Sequence, residues 1–245
     1  MARVRPFAAW RYSSTTADIS ALTAPPYDVI SPAQRAEFVA AHDHNVVMLE
    51  LPDGPLDTAV PGNRYETGKA TWNAWRADGT LARDERPAIY VLEQRYLLGE
   101  REVRRKAFIV EVGLEPFGAG VVLPHERTLP KALGDRYELT KATGANLSQV
   151  FALFDDEACE TEALFSAAMS ADPIATATDA DGVESTLWAL ADTEVASRLN
   201  NFMAEKQLFI ADGHHRYTTA LAHRDAKRTE AAEAGEVPTD PDYDY

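Results

Sequence analysis

Residues Leu208 to Arg216 read LFIADGHHR, and this segment organises the predicted fold. Its first residues, Leu208 to Ala211, have the composition of a short buried strand. Asp212 and Gly213 interrupt the apolar run, and the residues that follow favour a helix, which we predict from about Gly213 to Ala234. The segment therefore predicts a strand that turns sharply into a long helix.

The start of this helix has the features of an anion-binding site. Its first backbone N–H groups lack intrahelical acceptors and lie at the positive end of the helix dipole. Gly213 permits a ligand to approach the backbone closely. His214 and His215 add donors, and Arg216 can bind a phosphate through two hydrogen bonds. The alternative is that Asp212 only caps the helix and the histidines are surface polar residues.

Asp212 is also a candidate metal ligand. Mg²⁺ in proteins often takes one or two carboxylates together with phosphate oxygens. An aspartate directly before an anion-binding helix start combines both kinds of ligand. The sequence therefore predicts Mg²⁺ at Asp212 when a phosphorylated ligand is bound.

A second candidate segment, His125-Glu126-Arg127-Thr128, follows the apolar residues 121–123. A carboxylate in a partly desolvated pocket can act as a general base, and its neighbours then set its pKa. Glu126 is the candidate for that role. The alternative is an ordinary loop that carries a surface ion pair.

The same residues leave a transition-metal interpretation open. Imidazole and carboxylate groups bind zinc and manganese, but the HExxH spacing is absent and adjacent histidines rarely bind one ion together. A tightly held transition metal is therefore the less favoured alternative. Its candidate ligands are His125, Glu126, Asp212, His214 and His215.

A polar stretch between the two segments could line a cleft. Each of its residues is also typical of ordinary helices and turns, since Asn146 suits a left-handed turn and Asp135 a helix cap. The stretch contains Lys131, Asp135, Arg136, Thr143, Asn146 and Ser148.

Composition indicates a folded, acidic protein. The 245 residues include 39 acidic and 24 basic side chains, which gives a formal net charge of −15 and makes nucleic acid an unfavourable partner. The single cysteine, Cys159, excludes an intramolecular disulfide and a multi-cysteine zinc site. No secretory signal pattern and no apolar run of membrane-spanning length is present, so we predict a cytoplasmic protein without a membrane partner.

Strand and helix patterns alternate along the chain without a repeat, which predicts an α+β (mixed α/β) fold. Ser31 and Pro32 are typical of a helix start, as N-cap and first helical residue. The other predicted helices lie at about 65–77, 135–143, 157–169 and 192–205. The predicted strands lie at about 4–12, 46–51, 88–98, 103–115, 121–123, 150–154, 174–178, 185–189 and 207–211. A turn at Gly99 and Glu100 is expected between the strands at 88–98 and 103–115.

Several ordered motifs together resemble the DUF1015 family, which is related to the free serine kinase and to the ParB/sulfiredoxin-like superfamily. The motifs are PPYDVI at 25–30, PHERT at 124–128, TGANLS at 143–148 and ADGHHRY at 211–217. The resemblance spans nearly the whole chain. Family members usually continue beyond this length, so the chain is expected to be truncated at its C-terminus.

The resemblance implies a ParB/sulfiredoxin-like nucleotide-binding unit, at residues 116–245, with an N-terminal α/β extension at residues 1–115. Sulfiredoxin carries a catalytic cysteine where this chain has His214, so sulfinic acid reduction is not expected. ParB proteins bind CTP and DNA, but this chain has no obvious helix-turn-helix. The segment at Asp212 looks most like that of the free serine kinase, which phosphorylates L-serine with ADP as donor. In that enzyme an upstream glutamate acts as base, and the matching position is Glu126.

The leading functional hypothesis is therefore phosphoryl transfer from ADP or ATP, with Mg²⁺, to a small hydroxyl compound such as L-serine. Glu126, Asp212 and His215 are the predicted catalytic residues. The alternatives are a nucleotide-binding regulatory module that transfers nothing and a ParB-like DNA-associated protein. The predicted nucleotide-binding residues are Gly213, His214, His215 and Arg216, and the predicted substrate-binding residues are His125, Arg127, Thr128 and Asn146.

Overall fold

The computed structural model describes residues 2–13, 18–126, 130–236 and 238–245. These residues form a mixed α+β fold with seven α-helices and several small sheets, which confirms the predicted fold class. The helices are α1 (Pro32–Ala41), α2 (Val47–Glu50), α3 (Arg64–Ala77), α4 (Pro130–Thr143), α5 (Glu160–Met169), α6 (Thr193–Met203) and α7 (His214–Glu233). The strands are β1 (Val4–Arg5), β2 (Trp10–Tyr12), β3 (Leu81–Arg83), β4 (Ile89–Leu98), β5 (Arg101–Ile109), β6 (Glu111–Val112), β7 (Val122–Leu123), β8 (Phe151–Leu153), β9 (Ala175–Thr178), β10 (Glu184–Leu190) and β11 (Leu208–Asp212).

The chain divides into two compact units. Unit 1 contains the residues up to Arg5 together with Glu111–Glu157 and Ser197–Tyr245. Unit 2 contains Pro6–Val110 and Ala158–Ala196. The N-terminal extension and the nucleotide-binding unit expected from the resemblance stay predictions.

Unit 1 is built around the strand that leads into the longest helix. β11 lies in the middle of the sheet β7-β11-β8, parallel to β7 and antiparallel to β8. The following helix, α7, packs on α4 and is held by Tyr217, whose hydroxyl donates to the Glu115 carbonyl at 2.8 Å, and by the buried Arg224, which donates to the Leu114 carbonyl at 2.6 Å. The core of the unit includes Val4, Val122, Leu139, Leu199, Met203, Leu208, Ile210 and Tyr217.

Unit 2 is built around an antiparallel sheet with the order β5-β4-β10-β9. Gly99, with φ at 65°, lies in the tight turn between β4 and β5, as the sequence predicted. Helix α5 packs on this sheet, where Phe165 lies 5.4 Å from the ring of Phe108. Trp72 and Trp75 of α3 are buried in the same unit.

Local signals located most elements correctly. Ser31 caps α1 through a capping box with Gln34, and Pro32 is its first residue, as predicted. The predicted strand–turn–helix is also confirmed, because β11 ends at Asp212 and α7 begins at His214. These signals act over a few residues and do not depend on distant contacts.

The predicted strand at 46–51 is wrong, because this segment contains the short helix α2. The buried Asn45 accepts a hydrogen bond from the Val47 N–H at 3.0 Å and donates to the Ala21 and Thr23 carbonyls at 3.0 and 2.9 Å. Asn45 thereby fixes a helical turn that buries Val47 and Leu49. A short apolar run is compatible with a strand or a buried helical turn, and the distant carbonyls decide between them.

The predicted strand at 4–12 is interrupted. β1 pairs with β6, whereas β2 pairs with β3 in a different sheet. Pro6 follows β1 and has no N–H to donate, so the pairing cannot continue through it. The sequence showed the extended conformation but not the change of partner.

No helix in the described part of the chain is long and apolar enough to cross a bilayer. The cytoplasmic location stays a prediction.

The N-cap of α3 is a buried side chain with four hydrogen bonds. Asn63 accepts from the Tyr65 and Glu66 N–H groups at 3.1 Å each and donates to the Thr58 and Val60 carbonyls at 3.3 and 3.1 Å. It therefore fixes both the helix start and the preceding loop.

We expect Asn63→Ala to lower the free energy of unfolding of unit 2 by about 2 to 4 kcal/mol. The substitution removes a helix cap and leaves two carbonyl groups without their hydrogen-bond donor. Ser31→Ala, at an exposed cap, is the control and should cost about 1 kcal/mol. Urea denaturation followed by tryptophan fluorescence measures both, since the tryptophans all lie in unit 2. They are Trp10, Trp72, Trp75 and Trp188. Equal losses in the two variants would contradict the role of the loop contacts.

Candidate active site at the start of helix α7

The turn between β11 and α7 requires glycine. Gly213 has φ at 94° and ψ at 29°, in the left-handed region, and serves as the N-cap residue of α7. Among the described residues, no side chain caps this helix start. The N–H groups of the first turn therefore have no side-chain cap, and an uncapped helix start is suited to an anion.

Strand pairing brings the second candidate segment to the same place. β7 and β11 are parallel, with Val122 opposite Leu208 and Leu123 opposite Phe209. The carboxyl ends of the two strands therefore lie side by side. His125 and Glu126 follow β7 and reach the start of α7, although His125 and His214 are 89 positions apart in the sequence.

The strand register changes just before the turn. β11 pairs with β8 at Ile210 opposite Ala152, and the next partners are Asp212 and Phe151, so Ala211 is a bulge. A bulge adds one residue to one strand and changes the direction of the side chains that follow. The exposed Asp212 lies immediately after this irregularity.

The central contact of the site joins His214 to Glu126. His214 Nδ1 lies 3.0 Å from Glu126 Oε1; the His214 side chain is 2% exposed and that of Glu126 is 52% exposed. On the other side of the ring, the backbone N–H of His125 donates to His214 Nε2 at 3.3 Å. Both nitrogens of His214 thus have partners within the protein.

His125 lies edge-on to His214, with ring centroids 4.5 Å apart. Its Nδ1 lies 2.8 Å from the Ile210 carbonyl oxygen. Because a carbonyl oxygen can only accept, Nδ1 of His125 donates this hydrogen bond. The exposed His125 ring is thereby fixed by the strand that leads into α7.

Burial lowers the pKa of His214 below its usual value of 6.5. The carboxylates of Glu126 and Asp212 oppose this shift, and the neighbouring rings of His125 and His215 add to it. Desolvation is the largest of these effects, because a charged imidazolium is costly where water is excluded. At neutral pH His214 is therefore a neutral ring that donates to a carboxylate.

Asp212 and Arg216 form an ion pair one helical turn apart. The guanidinium of Arg216 also donates to the Gln149 carbonyl and lies against Gly213, so a Cβ atom at that position would be 3.0 Å from its Cζ. Asp212 thus contacts an arginine rather than a histidine. An incoming anion would meet Arg216 directly above the helix start.

The ligand atoms of His125, Glu126 and His214 all lie within 4.8 Å of one another, which is the spacing of a candidate metal site. Two imidazoles and a carboxylate are a common ligand set for zinc. However, if a metal bound Nδ1 of His214, the remaining ring proton would be on Nε2 and face the N–H of His125. The hydrogen bonds of His214 therefore fit a bond to Glu126 better than a bond to a metal.

The remaining predicted site residues have different positions. His215 is half-buried in the first turn of α7, and Asn146 is exposed in the segment after α4. Arg127, Thr128 and the side chain of Lys131 lie outside the described residues. The buried Arg136 pairs with its neighbour Asp135, and the Thr143 hydroxyl donates to the Leu139 carbonyl within α4.

Sequence reasoning missed two contributors, the carbonyls of Gln149 and Ile210. The first accepts from Arg216 and the second fixes the ring of His125. Every residue has a carbonyl group, so no residue type marks the ones that take part in a site.

Comparison with known families identifies the family of this chain. The sequence profile of the family described as "Protein of unknown function (DUF1015)" matches residues 4–245. The chain therefore belongs to the DUF1015 family, as its motifs predicted. No curated protein and no solved structure matches the chain. The relation to the free serine kinase and the ParB/sulfiredoxin-like superfamily stays a prediction.

The lowered pKa of His214 predicts a loss of stability in mild acid. Below about pH 6.5 the unfolded chain binds a proton at this histidine while the folded protein resists it, so stability falls as the pH decreases and is constant above that range. His214→Asn should flatten this dependence when unfolding is followed by circular dichroism from about pH 5 to about pH 8.

The half-buried His223 also has a lowered pKa because of burial, and it contributes to the same acid loss. It is therefore the matched control. His223→Asn should leave unchanged the part of the acid-induced stability loss that is due to His214. If the curves of stability against pH are parallel for the wild type and His214→Asn, His214 does not cause this part of the stability loss.

Gly213→Ala should destabilise unit 1 by about 2 kcal/mol or more, because the left-handed conformation strains any Cβ and this one would also contact Arg216. Gly235, at the other end of the same helix, has φ at 73°, and a Cβ added there would meet nothing within 4 Å. Gly235→Ala is therefore the control for backbone strain alone, about 1 kcal/mol. Thermal denaturation followed by circular dichroism compares the two, and equal losses would contradict the Arg216 contact.

Proposed function

We propose that the chain is a small-molecule phosphotransferase that moves a phosphoryl group from ADP or ATP to a hydroxyl compound, with free L-serine as the leading acceptor. The observation that carries the proposal is the position of the Glu126 carboxylate beside the open start of α7. Phosphoryl transfer needs a base near the acceptor hydroxyl and positive groups around the phosphate. The resemblance of the Asp212 segment to that of the free serine kinase favours serine.

The phosphate-binding part of the proposal uses α7 and Arg216. The first-turn N–H groups and His215 would donate to phosphate oxygens, and the Arg216 guanidinium, which lies against Gly213, would move to admit the phosphate. Arg216 now pairs with Asp212. A bound phosphate would take over one edge of the guanidinium, since arginine binds phosphate and carboxylate in the same forked geometry.

Asp212 and Glu126 would have separate tasks. Once Arg216 turns to the phosphate, the exposed carboxylate of Asp212 is released to bind Mg²⁺, which would neutralise charge on the transferring group. Glu126 would accept the proton of the acceptor hydroxyl. Its side chain is half exposed, so an acceptor can reach it from solvent.

A regulatory module that binds a nucleotide without transfer is the second candidate. The observation that favours it is the mutual pairing of Asp212 and Arg216, which satisfies both charged groups without a metal ion. For the DNA-associated alternative, the net charge of −15 is unfavourable.

The test is phosphorus NMR of the protein with Mg²⁺ and ADP or ATP, with and without L-serine. We expect a phosphoserine signal in the wild type and a loss of at least about a hundredfold in rate in Glu126→Gln, because the amide cannot accept the proton. Nucleotide affinity, measured by calorimetry, should be unchanged in that variant. Glu205→Gln, at an exposed position of the same unit, is the control and should keep full activity.

The other outcomes separate the hypotheses. Full turnover in Glu126→Gln would show that Glu126 is not the base. Nucleotide binding with no transfer to serine or other hydroxyl compounds would favour the regulatory module. Salt-sensitive retention on duplex DNA would favour the DNA-associated alternative.

A further inference from the structure

His214 is the least exposed polar group of the candidate site, and both of its ring nitrogens are engaged. Nδ1 lies 3.0 Å from Glu126 Oε1, and Nε2 lies 3.3 Å from the backbone nitrogen of His125. A ring in this position, with its side chain 2% exposed, cannot reach a phosphate in solvent without leaving both partners. Its function is therefore to be found in those two contacts.

The two partners differ in what they can do with a proton. A backbone N–H can only donate, so Nε2 must carry the lone pair. A neutral imidazole has one ring proton, which then belongs to Nδ1 and is donated to the carboxylate of Glu126. The burial of the ring disfavours a second proton.

We propose that the backbone N–H of His125 at Nε2 and the carboxylate of Glu126 at Nδ1 together select this tautomer of His214 and make His214 a positioning residue for Glu126. In this role the imidazole holds a carboxylate rather than a phosphate. The inference rests on the proposed function only for its kinetic consequence, since the tautomer and the hydrogen bond are properties of the free protein.

The hydrogen bond from His214 gives the two carboxylate oxygens of Glu126 different roles. Oε1 accepts from His214. In the proposed reaction Oε2 would accept the proton of the substrate hydroxyl. A half-exposed glutamate without such a partner would sample several rotamers, and ordering it costs conformational entropy. A base that is already ordered does not incur this cost during the reaction.

The first arm of the test is nitrogen-15 NMR of the histidine rings, in which protonated and unprotonated ring nitrogens are well separated. At neutral pH we expect His214 to carry its proton on Nδ1. His125→Ala removes the side chain but keeps the backbone N–H, so the tautomer should persist. His125→Pro removes the N–H as well and leaves only the Glu126 carboxylate to select the tautomer, so a larger share of the His214 rings should carry the proton on Nε2.

Three results of this arm would overturn the inference. They are a proton on Nε2 in the wild type, a doubly protonated ring at neutral pH, and a shift of both His125 and His214 rings on addition of stoichiometric Zn²⁺. The last would show that Nδ1 binds a metal rather than donating to Glu126. The wild-type spectrum decides the tautomer even if His125→Pro fails to fold.

The second arm compares two substitutions of His214. An asparagine amide places an N–H close to the position of Nδ1, whereas leucine fills the space without a donor. We expect kcat to fall by about tenfold or more in His214→Leu and to recover most of this loss in His214→Asn, with KM for the nucleotide unchanged in both. His223→Leu, farther along the same helix, is the control and should keep the wild-type kcat.

The NMR arm and the kinetic arm can contradict the inference independently of each other. Equal losses in His214→Leu and His214→Asn would show that the ring only fills space, and would overturn the positioning role. A wild-type protein that transfers no phosphoryl group would overturn the proposed function. In that case the NMR arm would still decide whether the His125 N–H fixes the proton that His214 donates to Glu126.

Discussion

The parallel pairing of β7 with β11 assembles the candidate site. Two neighbouring strands that run in the same direction end at the same edge of a sheet. In this chain one of them continues into α7 and the other into His125 and Glu126. A shift of one residue in the register would reverse the faces of the paired side chains and separate the groups that now meet. The backbone hydrogen bonds of a short sheet thus bring the candidate chemistry together.

Two adjacent histidines have different environments because they stand on a helix. Successive residues of an α-helix are rotated by about 100° around its axis, so neighbours in sequence face different surroundings. His214 turns inward and is buried, whereas His215 stays half-buried in the first turn. The two adjacent histidines therefore differ, because the ring of His214 lies in the protein interior and His215 is partly accessible to solvent. This difference is why we assign the two rings different tasks.

Backbone groups control much of the site. The Ile210 carbonyl fixes the ring of His125, the His125 N–H contacts His214, and the Gln149 carbonyl accepts from Arg216. These contacts are present in the free protein, so they order the side chains before any ligand arrives. Asp212 and Arg216 are the more exchangeable pair, because each can find a new partner in a phosphate or a cation. The candidate site thus has two parts. The contacts around His214 are fixed, whereas the pair of Asp212 and Arg216 can change partners when a ligand binds.

Elements with local causes could be predicted from the amino-acid sequence. Ser31 and Pro32 marked a helix start, Gly99 a hairpin, and Gly213 the turn from β11 into α7, because caps and left-handed turns need particular residues within a few positions. The residue types also pointed to Glu126 and to the segment that follows β11 as candidates. The helical conformation of 46–51 could not be predicted in this way, since the buried Asn45 bonds the distant carbonyls of Ala21 and Thr23. The contact of Glu126 with His214 and the proton position on that ring likewise come from the tertiary structure, because both depend on strand pairing and burial between segments far apart in the chain.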